Sequence, residues 1–130
     1  MKANELMIGD WVLFNHNPVR VAILVAAQDS LGLAEGDNVF GRPYSMIEPI
    51  PLTAEILEKN GWKKEDVFGS LIKYRFTGPI DIETGGETFR LSNDYFFCGG
   101  INYVFCGGIH YVHELQHALR MCGVEKDITI

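Results

Sequence analysis

"IEPIPLTAEILEKNGW", residues 47–62, is where the chain changes its way of folding. Pro49 and Pro51 bias the residues before them away from the helical region, so the stretch from Met46 to Leu52 reads as extended chain. Thr53 then supplies an N-cap hydroxyl, Glu55 and Glu58 lie in the helix, and Gly61 suits its C-terminal cap. A helix follows from these signals, with Ile56 and Leu57 turned to a core and Trp62 packed just beyond it.

Upstream, "GDWVLFN" (9–15) and "VRVAILVA" (19–26) read as strands around a turn at Asn17-Pro18. "AEGDNVFGRPYS" holds turn residues, with a short strand at 38–41. Several short strands joined by tight turns predict a small β-barrel-like unit, a curled antiparallel sheet, over residues 1–51. Downstream, residues 52–130 read as an α+β subdomain. After the helix come strands at "SLIKYRF" (70–76), "PIDIE" and "ETFRLS", the last two joined by a turn at Thr84-Gly85-Gly86. A C-terminal helix over 111–122 is stopped by Gly123, and "DITI" (127–130) is expected as a final edge strand. The fold class is therefore α+β. At 130 residues and 47% hydrophobic content, the two parts can also share one core.

Charged residues make up 22% of the chain, too apolar a balance for disorder, and the net charge is -6. An acidic surface repels phosphate, which argues against nucleic acid as a partner. The one adjacent basic pair, Lys63-Lys64, precedes Glu65-Asp66 and reads as a solvated loop or helix end. No apolar run is long enough to span a bilayer. "MKANELMIGDWVLF" carries Glu5 and Asp10 where a signal peptide needs an unbroken apolar core. Three cysteines, Cys98, Cys106 and Cys122, fit reduced thiols in a cytoplasm, the expected location.

Residues 97–104, "FCGGINYV", are followed at once by "FCGGIHYV" (105–112), which differs only by His110 for Asn102. This is a short tandem duplication rather than a solenoid repeat. Eight is even, so a strand read through both copies keeps its faces, and deletion of 97–104 is expected to leave a folding chain. The first copy is expected as an added hairpin and the second as the entry to the last helix.

"HELQH" (113–117) has the spacing of a zinc-protease helix, with His113 and His117 as ligands and Glu114 activating the bound water. The supporting residues are missing. The extended form of the motif would need Gly and His where Arg120 and Gly123 stand, and the short tail offers only Glu125 and Asp127. Val112, Leu115, Leu119 and Cys122 form an apolar stripe that turns His113 and His117 toward water. A surface helix is the preferred reading. A finger built from Cys98, Cys106, His113 and His117 has the wrong spacings.

Other candidates are weaker. Asp81 and Glu83 share a strand face but have no positioned partner, Gly85-Gly86 lacks the frame of a phosphate loop, and Cys122 reads as a core residue. His16 sits in a turn without an evident partner. The aromatics between Tyr95 and Phe105 have no interleaved Lys or Arg and read as core rather than base-stacking groups.

"ANELMIGDWV", "IEPIPLTAEILEKNGW" and "YVHELQHALRMCGVEKDI" together resemble a family of small uncharacterised proteins of gut bacteria, often encoded on prophages or mobile elements. That resemblance implies a single copy of "FCGGINYV" and assigns no catalytic or cofactor-binding residue. The expected function is a non-catalytic cytoplasmic protein, an accessory or protein-interaction module of a mobile element. It would bind a protein partner and need no cofactor, nucleic acid or membrane. The alternative is a minimal zinc metallopeptidase using His113, Glu114 and His117. An interaction module should carry an apolar patch or an open sheet edge, whereas the peptidase should gather both His and a third ligand in a cleft.

Overall fold

Strands β1 (Trp11–Phe14) and β2 (Asn17–Ile23) pair antiparallel with Phe14 opposite Asn17. The turn is therefore Asn15-His16, two residues before the expected Asn17-Pro18. Both residues take positive φ, 49° and 63°, as a type I′ turn requires to match the twist of its strands. Pro18 lies opposite Leu13, before β3 begins to pair with β2 at Arg20. Its missing N–H therefore costs no ladder bond. Strand β3 (Ser30–Glu35), which the sequence reading passed over, and β4 (Asn38–Pro43) form the next hairpin around Gly36-Asp37. Strand β5 (Ile47–Pro49) then returns beside β1.

The sheet order is β4-β3-β2-β1-β5. Among the described residues no ladder joins β4 to β5, so the sheet is open rather than closed into a barrel. Strand β5 has three residues and ends in Pro49, a poor donor for a closing ladder. The computed structural model describes residues 1–24, 29–68, 71–75, 80–84, 89–93, 108–121 and 123–130. They fall into two units, Met1–Pro51 with Tyr111–His113, and Leu52–His110 with Glu114–Ile130.

In the first unit the register pairs Val12 with Val19, Val21 with Leu33, and Leu33 with Phe40. Directly paired residues share a face, and this is the core face: Leu6, Val12, Val21, Leu31, Leu33, Tyr44 and Ile47 are buried in one cluster. Arg42 closes its rim. Its guanidinium lies 4.9 Å from the Phe14 ring and 5.1 Å from that of Phe40, and it donates to both carboxylate oxygens of Glu35 at 3.1 and 3.3 Å. Phe14 is on β1 and Arg42 on β4, roughly 14 Å apart across three strand spacings if the sheet were flat. Contact between them shows that the core face is concave and the sheet curled.

Across the outer face, Ile23 and Val39 close over Gly32. A Cβ on Gly32 would lie 2.9 Å from both Ile23 Cβ and Val39 Cγ1, whereas one on its cross-strand neighbour Gly41 would meet nothing within 4 Å. Gly32→Ala is expected to lower stability by roughly 1–3 kcal/mol through overpacking. Gly41→Ala should be neutral or mildly stabilising. Denaturant midpoints of the two variants check the contrast.

The second unit begins with α1 (Ala54–Lys59). Thr53 caps it by accepting the Ile56 N–H at 3.3 Å. Gly61, at φ 96°, ends it: its N–H reaches Glu58 O and that of Trp62 reaches Leu57 O, the paired bonds of a Schellman motif. Strands β6 (Lys63–Phe68), β7 (Leu71–Arg75), β8 (Ile80–Thr84) and β9 (Phe89–Asn93) make an antiparallel meander. Lys63 and Lys64 thus open a strand, opposite Arg75 and Tyr74, and are not in a loop or helix end. Tyr74 and Ile82 form a buried cross-strand pair, and the Phe89 ring lies 6.4 Å from that of Tyr74. Burial raises the Tyr74 phenol above its ordinary pKa, with the Glu58 carboxylate adding to the effect.

Residues 127–130 are not the expected edge strand. The Asn60 side chain, itself buried, takes the place of a strand neighbour: Thr129 N–H donates to Asn60 Oδ1 at 2.8 Å and Asn60 Nδ2 donates to Thr129 O at 2.8 Å. The turn expected at Gly85-Gly86, the duplicated stretch through residue 107, and Cys98, Cys106 and Cys122 lie outside the described residues.

Candidate functional site

The H-E-x-x-H segment lies in α2 (Val112–Met121). Before the helix, Ile109 pairs with Phe89 by reciprocal N–H···O bonds of 2.6 and 3.1 Å, and Leu52 N–H donates to His110 O at 2.9 Å. Glu114, in the first turn, accepts the His110 N–H at 3.1 Å. Its carboxylate thereby satisfies a backbone donor near the positive end of the helix dipole. At the other end Gly123, at φ 72°, donates to Arg120 O and Val124 donates to Leu119 O, a second Schellman ending.

The burial of α2 corrects the face assignment made from the apolar stripe. Val112, Leu115 and Leu119 are buried as expected, but so are His113, Gln116 and Ala118. At ~100° per residue His113 lies only about 20° from Arg120, which is exposed, so the burial beyond the stripe is confined to the first two turns of the helix. His113 is only 6% exposed and its ring stacks on Tyr111, with centroids 5.8 Å apart and planes 11° from parallel. His117 is half-buried, and the solvent-facing positions are Arg120 and Met121.

Glu125 and Asp127, the acidic residues of the tail, are exposed. Among the described residues no three His, Cys, Asp or Glu side chains are grouped to hold a metal ion. What the geometry does assign is structural: Glu114 to the helix start, and the buried His113 to a stack against the exposed Tyr111 ring. Glu114→Gln keeps an acceptor but removes the charge, and should cost about 0.3–1 kcal/mol. A thermal melt of the variant reads this directly.

His16 lies with Asn15, Leu13, Met46 and Glu48 around an open depression of about 200 Å³ at the tip of the first hairpin. The described residues show no convergent set of groups there that would define a reaction.

The edge of the first sheet offers more. The pair Glu35–Asn38 closes a two-residue hairpin, and Tyr44 N–H donates to Asp29 O at 3.0 Å. Hydrogen-bonded pairs alternate along an antiparallel ladder, so Asn38, Phe40 and Arg42 turn their backbone groups to β3. Val39 and Gly41 turn theirs outward, and Pro43, with no N–H to offer, falls on the same outward set. Along this edge Val39 is 50% exposed and Phe40 42%, and β4 carries no acidic residue. Sequence reasoning found the strand over 38–41 but not its edge position, which depends on β3. The Gly36-Asp37 loop was the available signal.

No protein-family model matches the chain, and neither does any curated protein or any solved structure.

Proposed function

We propose that the chain is a non-catalytic protein-interaction module that binds through strand β4. The carrying observation is that, among the described residues, no strand pairs with the outward N–H and C=O groups of Val39 and Gly41, which are flanked by the exposed apolar side chains of Val39 and Phe40. Such an edge accepts an extended chain, whose backbone supplies affinity while pockets for alternate side chains supply selectivity. An accessory role on a mobile element, in the cytoplasm, is the setting that the family resemblance supports. Glu114 at the helix start and His113 against Tyr111 have structural roles that need no zinc, which supports the non-catalytic reading of the H-E-x-x-H segment.

The test uses untagged protein and short extended peptides of alternating apolar and polar residues, followed by calorimetry. Binding is expected, and Gly41→Pro should abolish it. That change removes an outward donor and breaks no bond to β3, and a Cβ at this position meets nothing within 4 Å. Binding that survives Gly41→Pro, or no binding by the monomeric chain, would overturn the β4 reading. One zinc per chain with hydrolysis that Glu114→Gln abolishes would replace it with the metallopeptidase.

A further inference from the structure

Resting on the reading of β4 as the binding edge, we infer that its occupant is a second copy of this chain, paired β4 to β4 antiparallel about a twofold axis at Phe40.

The register follows from the backbone. Only Val39 and Gly41 direct both N–H and C=O outward from the middle of β4, so a partner strand must meet those two residues. In an antiparallel self-pairing centred on Phe40, Val39 faces Gly41 of the second copy and Gly41 faces its Val39. Each pairing exchanges two backbone bonds, and the Phe40 residues oppose each other at the non-hydrogen-bonded position, where side chains lie closest.

The side chains suit this register. On the outer face Val39 meets Gly41, where a Cβ would find nothing within 4 Å. On the core face Phe40 meets Phe40, each ring backed by its own Arg42 guanidinium at 5.1 Å. Arg42 falls opposite Asn38, so no like charges are directly opposed in a chain of net charge -6. Glu35, on the neighbouring strand β3, is already paired with Arg42.

The other edge explains why the assembly stops at two. Strand β5 has three residues and ends in Pro49, so the sheet grows from β4 alone. An isologous contact then closes, where a head-to-tail contact would extend into a fibre.

Sedimentation of the untagged full chain over a concentration series tests the inference, together with oxidation of Phe40→Cys. Wild type should approach twice the 14.6 kDa chain mass as concentration rises, and Gly41→Pro should weaken association at least tenfold. Phe40→Cys should give a reducible dimer above the wild-type level, because opposed residues at this kind of position lie within disulfide reach. Val39→Cys should not. A monomer at every concentration, or a dimer that Gly41→Pro leaves intact and Phe40→Cys does not cross-link, would overturn the inference. Extended peptides distinguish the two failures: a monomer that still binds them through β4 loses only the second copy as occupant, and one that binds none loses the binding edge as well.

Discussion

Asn60→Asp should cost the second unit roughly 3–4 kcal/mol at neutral pH, although the two side chains are nearly the same size. Asn60 is buried, and its amide is used from both ends. Nδ2 donates to Ile56 O and Thr129 O, each at 2.8 Å, while Oδ1 accepts the Thr129 N–H at 2.8 Å and its hydroxyl at 3.1 Å. A carboxylate would keep the second set and turn a negative oxygen against two carbonyls in the first. That repulsion and the burial both raise the pKa of the introduced acid above its unfolded value, near 3.9. The folded variant then binds more protons than the unfolded one between those two values. Its stability relative to wild type should therefore rise as pH falls through the raised pKa, and level off below about 3.9. Denaturant unfolding of both proteins at several pH values reads the difference.

Leu115→Ala should cost about 2–5 kcal/mol, because Leu115 is fully buried and the change leaves a cavity that its neighbours fill only in part. The control is Met121→Ala on the same helix: Met121 is exposed, so the change should move stability by less than about 0.5 kcal/mol. Equal losses would mean that α2 does not bury the face described here. Leu115 is also the middle letter of the H-E-x-x-H segment, so the variant separates helix packing from any role of the flanking histidines.

Local signals made the ends of both helices legible. Thr53, Gly61 and Gly123 act within one turn of themselves, and their capping bonds form as the residue types require. What depended on distant partners was less legible. His113 is buried although Arg120, on the same side of α2 seven positions later, is exposed, and no spacing within 112–122 encodes that difference between the two ends of the helix. The tail at 127–130 has strand-like letters, but Asn60, far away in sequence, supplies both bonds of a strand neighbour. The first turn was misplaced because Asn17-Pro18 is a strong turn dipeptide, while Asn15-His16 is a weaker pair for positive φ than Asn-Gly. The open edge depended on β3, whose "SLGLAE" carries a glycine where alternation would show a side chain. Gly32 is there because Ile23 and Val39 meet above it.

We propose that the protein works through the backbone of β4 and not through the side chains of α2. Residue-resolved amide hydrogen exchange at low protein concentration, with and without an extended apolar peptide, tests it most directly. Without peptide, Val39 and Gly41 should exchange much faster than Phe40 and Arg42, whose N–H groups bond to β3. With peptide, Val39 and Gly41 should slow while residues 113–117 stay unchanged. Slow exchange at Val39 and Gly41 in the dilute protein alone, or peptide protection that appears at 113–117 and not on β4, would contradict it.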